Sequence, residues 1–482
     1  MGGGVIISRP ANPPATRDTD CRWLKDKMEQ TTQTIALTHM RNVRRPLPGF
    51  RFLVALLLAV SPVGAQAASD ADWVNVGDVL DVEGGYVTTT VADSFGNLYI
   101  GGLFNRVGGV SATNVAKWNG TTWSALGSGA GSRYSRINAL AVSGSNLYVG
   151  GQFDMAGGNA ATNLVKWNGS AWSSLGTGLN GDVYALAASG SDLYVGGYFT
   201  SAGGKSANHI AKWNGSTWSS LGAGLNDGVW ALAVLGGNLY AGGYFSRAGV
   251  TNANRVAKWN GSAWSALGAG LNGTVYALAV SGSNLYVGGI FTTAGGSNVN
   301  RVARWNGNTW SALGNGVQFA SSPFVAAIAV SGSNLYVGGD FLKAGESGAS
   351  RVAKWNGNTW SPLGSGVSGG GALGPTPIVL ALTILGSDLY VGGYFTVAGG
   401  KSAFNFARVV GPSVFTSIVP DPSTNQALLT FESSPGASLN LLSSTNLATW
   451  QTNTTVTATN VTNSVSVNLT QPQEFFRLQR LP

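Results

Sequence analysis

The phrase Leu-Tyr-Val-Gly-Gly-x-Phe, with small variations, returns seven times in this chain, on Tyr99, Tyr148, Tyr194, Tyr240, Tyr286, Tyr336 and Tyr390. Successive spacings are 49, 46, 46, 46, 50 and 54 residues. A repeat of this length is one supersecondary unit that cannot bury its own faces, so the copies must stack as a solenoid, a propeller or a comparable array.

The copy over residues 183–222 shows what is stacked. Val183-Tyr184-Ala185-Leu186-Ala187 is a short apolar run, and Ser189-Gly190-Ser191-Asp192 is a turn cluster. Leu193-Tyr194-Val195-Gly196-Gly197 is a second run, followed by the small-residue loop Ala202-Gly203-Gly204. Ile210-Ala211-Lys212-Trp213 and Trp218-Ser219-Ser220-Leu221 are the third and fourth runs, with Asn214-Gly215 between them as an expected tight hairpin turn. Four short strands bounded by Gly, Asn and Ser make one antiparallel sheet, and nothing in the copy has helical periodicity. That is the blade pattern of a β-propeller.

The last copy degrades after Ala407-Arg408 and has no fourth strand of its own. The missing strand lies at the other end, where Trp73-Val74-Asn75-Val76-Gly77 aligns with Trp123, Trp172, Trp218, Trp264, Trp310 and Trp360. The expected fold is therefore all-β: a seven-bladed β-propeller over residues 72–411, closed by an N-terminal strand that removes two open sheet edges. From about Pro412 the glycines thin out and Thr, Ser and Asn rise, which predicts a small β-sandwich-like C-terminal module over 413–482.

The repeat resembles known families. Gly196-Gly197 after an apolar strand, with Trp213 downstream, resembles the kelch repeat of galactose-oxidase-like propellers. The fuller phrase, with Asn208, Lys212-Trp213-Asn214-Gly215 and Trp218-Ser219-Ser220-Leu221-Gly222, is more similar to repeats of the fungal cortical cell-polarity marker family and of secreted bacterial repeat proteins. In the C-terminal module, Ser443-Ser444-Thr445-Asn446-Leu447, Trp450 and Phe475-Phe476-Arg477-Leu478 resemble modules of secreted Verrucomicrobia proteins. These resemblances imply a fold and an extracellular setting; they imply no particular activity, because one propeller fold hosts many.

Residues 40–67 read as a secretory signal peptide. Arg41, Arg44, Arg45 and Arg51 precede the apolar run 52–60, and Ala65-Gln66-Ala67 is a small-x-small cleavage signal. The apolar run is too short to span a bilayer. The residues before Met40 read as a start-site artefact or a disordered extension. Of 28 Lys+Arg and 20 Asp+Glu, residues 1–67 hold 9 and 4, so the remainder carries 19 basic and 16 acidic groups, a net of +3. That balance gives no basic stripe for nucleic acid. The one cysteine, Cys21, also falls in the removed part. The expected product is a monomeric propeller that is secreted, held at the cell surface or retained in the periplasm, with no transmembrane segment and no cofactor.

A residue type present in every copy is most economically structural, since one site does not need seven copies. The shared Trp, Tyr and Phe read as core, and the basic residues before each first Trp (Lys117, Lys166, Lys212, Lys258, Arg304, Lys354, Arg408) read as stems laid over aromatic surface. The one histidine after residue 67, His209, falls where three other copies carry Arg255, Arg301 and Arg351, and reads as an exposed substitution rather than a base. No catalytic constellation is evident, so the chain reads as a non-enzyme. A metal site at Asp78, Asp81 and Glu83 has no supporting ligand spacing.

Departures from the repeat are the candidate site. From the Gly ending each outer strand to the next repeat Tyr the distance is 18 residues in three copies, but 22 at Gly77–Tyr99, 21 at Gly127–Tyr148, 22 at Gly314–Tyr336 and 26 at Gly364–Tyr390. These long loops share one face and are consecutive around the ring. The crescent carries Asp78, Asp81, Glu83, Arg133, Tyr134, Arg136, Phe319, Phe324 and the run Gly369–Gly371. The short-loop copies instead carry Tyr184, Trp230 and Tyr276, where other copies have Asn138, Ala326 and Leu380. An aromatic arc facing a polar crescent suits a glycan or an extracellular protein. A polysaccharide-acting enzyme with its site at the propeller mouth and a passive envelope protein are the alternatives.

Overall fold

The computed structural model describes residues 34–38, 68–80, 85–132, 134–370, 376–411, 414–421, 426–433, 435, 437–444, 451–468 and 473–480. Among these, regular structure is β-strand apart from one 3-10 turn, Asp70–Asp72. The segment 40–67, read above as a signal peptide, lies outside the described residues.

Between Trp73 and Val409 the described strands form seven four-stranded antiparallel sheets, together a β-propeller. Numbered by their inner strands, the blades begin at Tyr86–Ala92, Arg136–Ser143, Asp182–Ser189, Val229–Leu235, Val275–Ser281, Phe324–Ser331 and Ile378–Leu385. Each inner strand packs on the next, and the first packs on the last, so the ring is closed. Blade 3 continues through Asp192–Tyr198, Ile210–Trp213 and Trp218–Ser220.

The Asn-Gly turn of a blade differs from the simplest expectation. Asn214-Gly215 is not a two-residue hairpin: Trp213 pairs with Trp218, leaving a four-residue loop. The Asn214 side chain explains this, because its Oδ1 accepts the Ser216 and Thr217 amides at 3.0 and 2.8 Å and stabilises the wider loop. Two-residue turns lie at Gly190-Ser191, where Ser189 pairs with Asp192, and at Gly203-Gly204, two glycines at positive φ, between the paired short strands Ser201–Ala202 and Lys205–Ser206.

The repeated Gly pair has a steric cause. In blade 3 the register between the first two strands shifts between Val183 and Ala185, so Tyr184 is an extra, unpaired residue. The bulge drives the Asp182 carbonyl against Gly197, where a Cβ would overlap it. A Cβ on Gly196 would stand 2.5 Å from Val229 Cγ1 of the next blade. One glycine therefore admits the bulge and the other admits the neighbouring blade.

The outer strands carry the link between blades. Trp123, Trp172, Trp218, Trp264, Trp310 and Trp360 each donate Nε1 to a backbone carbonyl of the preceding blade's outer segment. The last blade takes its outer strand from Trp73–Val74, which pairs with Phe406–Val409. Trp73 is 1% exposed and donates to the Leu363 carbonyl at 2.9 Å. Lys401 Nζ adds a bond to the Trp73 carbonyl at 2.7 Å.

Beyond the propeller, Val414–Asp421, Gln426–Glu432 and Thr462–Asn468 form one sheet. Ser438–Ser444 lies between Gln451–Thr457 and Gln473–Arg480 in a second. Leu429, Phe431, Leu439, Leu441 and Phe476 fill a core of their own. The Gln473–Arg480 edge also pairs with Thr34–Thr38, a segment the sequence reading set aside; a free sheet edge accepts a further strand irrespective of its place in the chain. Pro435 abuts Gly96 and Gly120, in turns at the propeller face opposite the loops that enter the inner strands.

Candidate binding site at the channel mouth

The bulge recurs in all seven blades and leaves one unpaired residue near the start of each inner strand: Thr88, Asn138, Tyr184, Trp230, Tyr276, Ala326 and Leu380. All seven line an axial cavity of about 190 Å³. The bulge thus turns a position that would alternate between blade faces into the wall of the channel.

Three of these side chains are aromatic and adjacent. Tyr184 and Trp230 stack at 4.2 Å with 27° between planes. Trp230 meets Tyr276 edge-on at 6.1 Å, and Tyr276 meets Phe324 edge-on at 5.8 Å. All four are half-buried. Such offset and edge contacts hold the rings in place while leaving part of each surface free. The Tyr184 hydroxyl donates to Asp182 Oδ2 at 3.1 Å. Burial raises the Tyr184 pKa, Asp182 adds to that rise, and Arg136 opposes it. Burial also raises the Tyr276 pKa.

The arc extends outward through Gly228. A Cβ there would stand 2.9 Å from the Tyr198 ring and 3.5 Å from Trp230 Nε1. Missing that atom, Tyr198 and Trp230 line one continuous surface. Tyr198 ends the second strand of blade 3, Tyr244 directly follows that of blade 4, and they are 58% and 54% exposed.

Beside them lies a slot just before each third strand whose backbone is left-handed in every blade, with φ between 61° and 67°. Blades 1, 2 and 7 fill it with Asn114, Asn163 and Asn405, whose Oδ1 accepts the amide of Phe104, Phe153 or Phe395 at 3.1 Å. Asn tolerates this conformation well. Blades 3 to 6 fill it with His209, Arg255, Arg301 and Arg351; His enters this region more readily, whereas the arginines are strained there by about 1 kcal/mol or more. Arg255 lies 4.5 Å over the Tyr244 ring, and the His209 ring is 5.2 Å from that of Tyr198. Arg351 is engaged by Asp340 at 3.9 Å and by the Pro377 carbonyl at 2.6 Å.

These positions revise the sequence reading. His209 is half-buried rather than exposed, because its neighbour Tyr198 covers it; burial lowers its pKa, against the pull of Asp227. Phe324 belongs to the aromatic arc rather than to the crescent. Arg136 lies 5.7 Å over the Tyr86 ring on the same rim. Asp78 is a fastener: it accepts from Asn75 Nδ2 at 2.8 Å and from the Phe404 amide at 3.1 Å. Tyr134 is 72% exposed, and Phe319, 61% exposed, lies under Lys343 at 5.4 Å. Asp81, Glu83 and Arg133 lie outside the described residues. Among the described residues no group of three or more His, Cys, Asp or Glu is placed to hold a metal ion.

The crescent is fastened down. Val79–Leu80 pairs with Arg106–Val107, Val317–Gln318 with Lys343–Ala344, and Val367–Ser368 with Val397–Ala398. Single bridges do the same for the other entering loops, as at Leu225 with Ala248. The basic residues before each first Trp sit opposite the repeat Tyr, as Lys117 over Tyr99 at 5.9 Å. Asp192 and Asp388 pair with Lys212 and Arg408 at 3.0 and 3.3 Å.

No family model matches the chain, and no curated protein sequence matches it. Among solved structures it is similar to the extracellular domain of a putative hybrid two component system from B. thetaiotaomicron, at 12% identity and a TM-score of 0.48. That match covers 75% of this chain, and the chain spans 45% of the other's length. It is also similar to virginiamycin B lyase from Staphylococcus aureus, at 10% identity and a TM-score of 0.38, over 70% of this chain and 98% of that one. These likenesses carry no argument about activity. Among the described residues no helix is long and apolar enough to cross a membrane.

Proposed function

We propose that this is a secreted, non-enzymatic propeller of kelch-like type that binds a glycan at the channel mouth, with the C-terminal module holding it at the cell surface. The observation that carries the reading is the contiguous arc Tyr184, Trp230 and Tyr276, which the bulge turns onto the channel wall, with Phe324 packed edge-on against Tyr276. Sugar rings present flat C–H faces to aromatic planes, and half-open rings on a rigid wall meet them without an ordering cost. Export is supported by the leader-like segment 40–67. The contact of Pro435 with turns of the opposite face leaves the proposed site pointing away from the module.

An extracellular protein is the second kind of ligand to be tested, because Tyr198 and Tyr244 give the rim exposed aromatic area of the sort protein interfaces use. A glycan array and a pull-down with the protein test the reading together. Binding that disappears in Tyr184→Ala, Trp230→Ala and Tyr276→Ala variants of unchanged fold is the expected result. Silence in both assays, or turnover of a polysaccharide, contradicts it.

A further inference from the structure

The aromatic surface is bordered by a row of basic residues held in a left-handed backbone conformation. At the left-handed slot, Asn is the comfortable residue, and three blades use it to cap a backbone amide. The four consecutive blades 3 to 6 replace it with His or Arg in the same left-handed conformation. They are the blades that carry the aromatic arc. Strain kept at several neighbouring positions of one face points to use of the side chains, since folding alone favours Asn.

Two of these cations have no acid to answer them. Neither Arg255 nor Arg301 has a described carboxylate within 4.0 Å, although Arg351 in the next blade has Asp340. Arg255 spends its Nη1 on the Tyr244 and Phe245 carbonyls at 2.6 and 3.2 Å, and its guanidinium carbon lies 4.5 Å over the Tyr244 ring. Among the described residues the buried Arg301 Nε has no hydrogen-bond partner, and its Nη1 reaches only Asn300 Oδ1, at 3.4 Å. Burial lowers its pKa, as expected of a guanidinium withdrawn from water without a counter-charge. A planar fork with unused donors matches a carboxylate or a sulfate.

We propose that the ligand of this face is an acidic glycan, whose carboxylate or sulfate groups are seated by Arg255 and Arg301 while its sugar faces lie on Trp230 and its neighbours. The inference rests on the glycan-binding reading above and deepens it. A glycan fits better than a nucleic acid because the net charge after residue 67 is only +3, so the cations are local to this arc rather than part of a basic stripe.

The test compares glycans that differ only in charge. Binding of the protein is measured to polygalacturonic acid and its methyl ester, and to dextran sulfate and dextran, with a single-stranded oligonucleotide alongside. The two acidic arms distinguish carboxylate from sulfate. At least tenfold tighter binding to an acidic polymer than to its neutral form, weakening as salt rises, is expected. In the variant Arg255→Asn/Arg301→Asn, that preference disappears while the melting temperature stays the same or rises.

Three binding or stability outcomes overturn the inference, and a fourth overturns the glycan reading with it. One is equal binding of neutral and acidic forms that Arg255→Asn/Arg301→Asn leaves intact and Trp230→Ala abolishes; the glycan reading then survives alone. A second is a fall in melting temperature of that double variant, which makes the cations structural. The third is equal or tighter binding of the oligonucleotide, which makes the ligand a polyanion of another class. Absence of binding to every polymer removes both readings.

Discussion

The indole Nε1 of Trp73 donates to the carbonyl of Leu363, 290 residues along the chain, at 2.9 Å. The same bond joins each later blade to the one before it, as between Trp218 and Leu175 at 2.9 Å. Only at Trp73 does it also tie the two ends of the ring. Replacing Trp73 with Ala removes a side chain that is 1% exposed, and such truncations cost about 3–5 kcal/mol. A melting curve should therefore drop by many degrees, and limited proteolysis should first attack blade 7. A variant that melts with the parent would mean the ring does not depend on this strand.

The second glycine of the repeat is predicted to be intolerant and Gly348, in the short strand Ser347–Gly348, tolerant. Gly197→Ala pushes a Cβ into the Asp182 carbonyl, a backbone atom that cannot move without undoing the bulge. A loss of about 1–3 kcal/mol is expected, as for other overpacked sites. Gly348 has no atom within 4 Å of an added Cβ, and Gly348→Ala should stay within about 0.5 kcal/mol of the parent. Chemical denaturation of the pair checks the contrast.

Asn114→Ala should be costly for a different reason. The side chain is fully buried, accepts from the Phe104 amide, and donates to the Ala130 and Ser132 carbonyls at 3.0 and 2.8 Å. Its removal strands these groups and leaves Ala at positive φ, for about 2–4 kcal/mol in all. Equal stability in urea would show that water replaces the amide without penalty.

His209 gives a pH signature. Burial holds its folded-state pKa below the usual imidazole value, so the native state prefers the neutral ring and the unfolded state binds the proton more readily. Its contribution is complete above about pH 6.5 and is lost as pH falls below that value toward the folded-state pKa. The melting temperatures of the parent and of His209→Asn, compared at pH 7.5 and 5.5, should diverge, with the parent losing more on acidification. A constant difference between the two contradicts this.

Much of the architecture was legible because it is repeated. Trp73 could be matched to the other outer-strand Trp residues by alignment, and the closing strand followed. The site was only partly legible. Tyr184, Trp230 and Tyr276 stand out as departures from the repeat, but Phe324 reads as a loop residue because its ring neighbour, Tyr276, belongs to the preceding blade and is far off in the chain. Asp78 reads as a loop carboxylate and is a fastener, a role set by its contact with neighbouring Asn75 and by the Phe404 amide across the ring closure. The Arg255 and Arg301 slot was visible as a substitution pattern beside His209. Its meaning depends on a positive φ, and a residue-by-residue reading assigns that to Gly or Asn rather than to Arg. Chain letters alone also made Asn214-Gly215 the tight turn, when the side-chain bonds of Asn214 favour a wider loop.

The most direct measurement is the affinity of the parent and of Trp230→Ala for a glycan that the parent retains, taken with the melting temperature of each. Trp230 stands in the middle of the arc, stacked on Tyr184 and edge-on to Tyr276. Loss of at least tenfold in affinity with an unchanged melting temperature is the expected result. Undiminished affinity, or a variant that no longer folds, would contradict the assignment of the channel-mouth aromatics to binding.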